Sequence, residues 1–166
     1  MIWETGGCMA VAKEDIVHHR RLVFPLLAVM ALAFAALGAA PVVAGGRPFT
    51  TALAGPNEVP AGDPDATGTA TVWVNPGQGT VCYAWSVSNA ATPIGAAHIH
   101  HAVAGAAGPV VVPLPPTGPS SGTGCTTGVD RSLALDIVTH PWEYYVNTHN
   151  AEFPEGVARG QLSRTP

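Results

Sequence analysis

Apolar and polar positions alternate most regularly in GTATVWVNPGQGTVCYAWSVS, residues 68–88. Ala70, Val72 and Val74 alternate with Thr71, Trp73 and Asn75, and in the return run Val81, Tyr83, Trp85 and Val87 alternate with smaller residues. A period of two is that of a strand with one buried face, and the NPGQG turn between the runs makes them a hairpin. Shorter runs of the same kind predict strands over 48–54, 96–103, 109–114, 142–149 and 157–163. One segment keeps a helical rhythm. DRSLALDIVTH, residues 130–140, sets Leu133 and Ile137 on one face, with Asp130 placed to cap the first turn. PLPPTGPSSGTG, residues 113–124, is the one low-complexity stretch and reads as a mobile loop. Seven or so short strands beside one short helix predict an all-β sandwich or barrel.

The front of the chain follows another pattern. Residues 22–40, LVFPLLAVMALAFAALGAA, are apolar and uncharged and follow His18, His19, Arg20 and Arg21. This is the layout of a secretory signal peptide. Cleavage after Ala44 divides the chain into a leader, 1–44, and a mature domain, 45–166. The run is nearly long enough to span a bilayer, so an uncleaved anchor is the alternative. The Arg20-Arg21 pair fits a twin-arginine signal poorly, and Met9 offers a second start.

Beyond the leader stand four arginines, no lysine and eight acidic residues, a net charge of −4. Such a surface lacks the basic footprint that nucleic acid or anionic lipid requires, so membrane contact is expected only through an uncleaved leader. Cys82 and Cys125 remain after Cys8 leaves. An even pair in an exported chain reads as a disulfide, the alternative being two buried thiols.

Three of the seven histidines fall within AHIHH, residues 97–101. On a strand His98 and His100 share one face and His101 the other, and two residues of rise separate the first pair by roughly 6.6 to 7 Å at Cα. Their imidazoles can therefore converge on one ion. Tyr145, Asn147 and His149 alternate with Tyr144, Val146 and Thr148, which places His149 at a strand end as a third nitrogen. Three imidazoles suit copper or zinc and not calcium or magnesium, which take oxygen ligands. The alternative is a set of histidines satisfied by backbone. His140, at a helix end, reads as a C-terminal cap charge. Arg159 is either a strand arginine paired with an acid or a guide for a small anion. Glu58 is either a turn acid or a partner that orients an imidazole.

LAGPNEVP, ATGTATVWV, AAHIHHAVAGAAGPVVVPL and YYVNTHNAEFPEGVARGQL, in that order, resemble the blocks of the CHRD domain, a module first named from chordin and common in secreted bacterial proteins. The likeness covers about residues 50–163 and implies an extracellular immunoglobulin-like or superoxide dismutase-like Greek-key β-sandwich, with no single activity attached. Two positions depart from the pattern. His101 stands where the family usually has glycine, which adds a candidate fourth ligand, and NTHN replaces the commoner N-V-H-T. A looser resemblance is to copper-zinc superoxide dismutase, whose copper lies on an H-x-H strand and later histidines. It implies copper ligation by His98, His100 and His149, with Arg159 guiding superoxide. The zinc side has no counterpart, because residues 102–124 hold neither histidine nor aspartate, so a single ion is expected.

Three readings follow. The first is a secreted protein holding one copper ion, with superoxide dismutase-like redox activity. The second is a non-enzymatic module that presents loops, an edge strand or an aromatic patch around Trp73 or Trp142 to a protein or polysaccharide. The third is a structural zinc site closed by His101 or His140. Hydrolytic mechanisms find little support: there is no H-E-x-x-H helix or phosphate-cradling glycine loop.

Overall fold

A computed structural model describes residues 45–164. The predicted leader, its cleavage point and its anchor alternative lie outside these residues. The strands are β1 (Arg47–Ala54), β2 (Thr67–Asn75), β3 (Thr80–Ser88), β4 (Ala96–His101), β5 (Val110–Pro113), β6 (Ser121–Thr127), β7 (Tyr144–His149), β8 (Ala158–Gln161) and β9 (Ser163–Arg164). A helix, α1 (Arg131–Thr139), and two 3-10 turns, Gly55–Asn57 and Pro141–Glu143, complete the described chain.

The strands form one antiparallel sheet in the order β5-β4-β7-β8-β1-β2-β3-β6, with β9 beside β1. The halves β5-β4-β7-β8 and β1-β2-β3-β6 join at the Ala54–Arg159 pair, and the β3–β4, β5–β6 and β6–β7 connections cross between them. Both halves turn apolar faces to one core: Phe49, Val72 and Val81 from one, Ile99, Val112 and Val146 from the other, each fully buried. Burying a side chain of this size stabilises by roughly 1.5–3 kcal/mol. The free edges approach as well. Trp85 Nε1 donates to Leu114 O (2.9 Å), Tyr83 OH to Pro115 O (3.1 Å) and Thr126 Oγ1 to Pro113 O (2.5 Å). The all-β sandwich is thus nearly a closed barrel.

The 68–88 hairpin pairs in the register its alternation predicts, from Thr67–Ser88 to Asn75–Thr80. Asp130 caps α1 by accepting from the amides of Ser132 (2.7 Å) and Leu133 (3.2 Å), and Ala134 and Ile137 are buried. The loop expected over 113–124 is corrected in its second half, because β6 begins at Ser121 and pairs with β3 over seven residues. Its glycines are what the place requires: a Cβ at Gly122 would meet the Trp85 indole at 2.6 Å, and one at Gly124 the Tyr83 hydroxyl at 2.9 Å. Large aromatics lie across this edge, so the strand is built of small residues. Cys82 and Cys125 face each other in the same register and form a disulfide. The strand expected over 142–149 starts at Tyr144, after a 3-10 turn opened by Pro141, and the run 157–163 divides into β8 and β9 at Leu162. No helix among the described residues is long and apolar enough to cross a membrane.

Candidate metal centre

Ile99 and Val146 point into the core, so the alternation of β4 and β7 sends His98, His100, Tyr145, Asn147 and His149 to the outer face. Strand pairing arranges that face in rows: Ala96 beside His149, His98 beside Asn147 and Arg159, His100 beside Tyr145 and Gln161. Ring centroids lie 5.1 Å apart for His98 and His149, 5.6 Å for His98 and His100, and 5.9 Å for His100 and His149. Each offers one nitrogen, and the three nitrogens lie within 4.8 Å of one another. Ligand nitrogens about 2.0–2.1 Å from an ion stand about 3 to 4 Å apart, so small side-chain rotations bring the three onto one centre.

The protonation pattern fits a cation. His100 Nδ1 donates to Gly108 O (2.8 Å) and His149 Nδ1 to Pro154 O (2.9 Å). A carbonyl only accepts, so in each neutral ring the proton sits on Nδ1 and the Nε2 lone pair is free. Among the described residues, the buried side-chain polar atoms without a partner are His98 Nδ1, His100 Nε2, His149 Nε2, Asn147 Oδ1 and Glu58 Oε1. Buried polar groups are normally satisfied. Three orphaned nitrogens aimed together are those a metal ion would satisfy.

Burial, followed by the charges of His149 and His100, pushes the His98 base down to about 4. His100 and His149 are also lowered, first by burial, with the Gly108 and Pro154 carbonyls opposing. All three are therefore neutral near pH 7. His98 also borders an open cleft of about 240 Å³ lined by Pro113, Pro115 and Pro116, which gives a small solute an approach.

Arg159 does not stand free as an anion guide. It is 2% exposed, stacks its guanidinium 3.5 Å above the Tyr145 ring, and donates to Ala106 O (2.8 Å), Val103 O (3.2 Å) and Gln161 Oε1 (3.4 Å). Its partners are two backbone carbonyls and an amide oxygen rather than an acid. Gln161 Nε2 adds a bond to Ala102 O (2.8 Å), and Tyr145 OH accepts from Gly108 N (3.2 Å). Together they pin residues 102–109 over the outer face, and with them the carbonyl that orients His100.

Glu58 is 6% exposed and lines a second cleft of about 390 Å³ with Arg159, Gln161 and Asn57. Burial pushes its carboxyl up to about 7, against the Arg159 charge and the Asn147 amide, which lower it. The imidazoles of His100 and His149 are oriented by carbonyls rather than by Glu58. Asn147 lies between, acting on both His100 and Glu58.

The candidate fourth ligands lie elsewhere. His101, odd-numbered on β4 and exposed at the strand end, stacks on Tyr144 and points its Nε2 toward Glu143 Oε2 at 3.7 Å. His140 bonds Asp136 Oδ1 through Nδ1 at 2.8 Å, at the C-cap of α1. Neither can close a zinc shell around the three clustered histidines. Trp142 is exposed, whereas Trp73 is half-buried in the hairpin. Tyr145, Asn147, Gln161 and Gly108 were not singled out as site residues from sequence, although the alternation that placed His149 put Tyr145 and Asn147 on the same face.

No curated protein and no solved structure matches the chain. The pattern of the CHRD domain matches residues 49–162, a span that takes in both halves of the sheet, the disulfide and all three clustered histidines, and the chain therefore belongs to the CHRD domain family.

Proposed function

We propose that this is a secreted CHRD-domain protein that holds one copper ion on His98, His100 and His149. The observation that carries the reading is the convergence of three neutral, buried, unpartnered imidazole nitrogens. No thiolate or carboxylate joins them, and among divalent first-row metals a site of nitrogens binds copper more tightly than zinc. Bound copper would supply one-electron chemistry, and superoxide is the small anion that this reading takes as substrate. The chain's own residues then have distinct parts. His100 and His149 are held in one tautomer by Gly108 and Pro154, His98 borders the open cleft, and the buried Arg159 contributes positive charge while fixing the loop. The disulfide agrees with an oxidising, extracellular setting.

The test is metal analysis and copper titration of the purified protein against a His98→Ala/His100→Ala/His149→Ala variant. One tightly held equivalent, with a nitrogen-rich tetragonal EPR spectrum that the variant lacks, is the expected result, and a superoxide assay then reads the activity. Equal copper uptake by both proteins would sink this reading. A binding module built around the exposed Trp142 would then lead.

A further inference from the structure

On the opposite side of β4 from the clustered histidines, a second set of ligand-type side chains meets at the surface. His101 comes from the end of β4, Asp136 from the last turn of α1, and Glu143 from the 3-10 turn before β7. One ligand atom from each lies within 4.8 Å of the others. We propose that His101, Asp136 and Glu143 form a second divalent-cation site that takes zinc, independent of the copper reading.

Two observations carry this. The first is the spacing between His101 Nε2 and Glu143 Oε2, 3.7 Å, which is too long for a hydrogen bond. The two groups face each other across a gap without closing it, although both side chains are more than a third exposed. The second is support from behind. The fully buried Tyr144 stacks its ring against His101 at 4.6 Å and donates its hydroxyl to Asp136 Oδ2. His140 Nδ1 sits 2.8 Å from the other oxygen, Oδ1. Each carboxylate oxygen keeps a further lone pair, so a supported Asp136 remains a competent ligand.

One imidazole and two carboxylates make a mixed nitrogen and oxygen set, which suits zinc, with water completing four positions. Such an ion would tie together the end of β4, the end of α1 and the start of β7. Residues 102–109, which orient His100, begin directly after His101.

The experiment is zinc titration by calorimetry in the His98→Ala/His100→Ala/His149→Ala protein, which removes the first cluster and leaves this one whole. One equivalent of zinc is expected to remain. Adding His101→Ala and Glu143→Gln, both at exposed positions, should weaken it at least tenfold. Because the triple variant could fold poorly, the same pair of substitutions is also made in the otherwise unaltered protein, where zinc uptake should fall by one equivalent. Unchanged uptake there, or no zinc bound by a folded triple variant, overturns the proposal. The copper reading is judged separately, by whether copper uptake and its EPR signal depend on His98, His100 and His149.

Discussion

His98 and His100 were legible because a strand has a period of two, and His149 because the same period runs through YYVNTH. Arg159 was not legible, since its partners are the carbonyls of Val103 and Ala106, more than fifty residues earlier, and backbone acceptors leave no mark in side-chain identity. Glu58 shows a related limit: its buried carboxyl, pushed up to about 7 from an ordinary 4.5, reflects packing against Gly156, where a Cβ would strike it at 2.4 Å. The folded state therefore holds a proton that the unfolded chain has released between about pH 4.5 and 7. By linkage, stability contributed by this group is present below 4.5 and is lost as pH rises through 7. Glu58→Gln mimics the protonated form. Chemical denaturation should find it more stable than the unaltered protein above pH 7, with the difference shrinking toward pH 4.5.

At the scale of elements, the hairpin, the helix and its cap followed from local pattern. β6 did not, because its glycines answer to Trp85 and Tyr83 on the neighbouring strand rather than to a buried face of its own. Asp130→Ala should lower stability by about 1 kcal/mol, the ordinary cost of losing an N-cap, readable in urea denaturation. The loop 102–109 is held by Arg159, Gln161, Tyr145 and His100. Arg159→Leu should speed amide exchange in these residues and, through the freed Gly108 carbonyl, weaken copper binding by about 10- to 100-fold. A steering arginine would give a different result: changed salt dependence of association with an unperturbed loop.

For the whole molecule, composition and alternation were enough for an all-β sandwich, but not for the side-chain bonds that draw β5 toward β3 and β6 and nearly close it. The disulfide reinforces the same region, joining adjacent strands across a separation of 43 residues. In the chain-entropy model such a link stabilises by about 4 kcal/mol. Cys82→Ser/Cys125→Ser should therefore shift the denaturant midpoint substantially while leaving metal stoichiometry unchanged, since neither cysteine touches the histidine cluster. The clustered histidines rise from the face turned away from Ile99 and Val146. None of the three belongs to the buried apolar core, and an H-x-H pair on the same rows of a sister domain would likewise face away from its interior. The architecture thus separates what makes the domain fold from what it can hold, so that one scaffold could gain, lose or exchange its chemistry by changes at a few outward-facing positions.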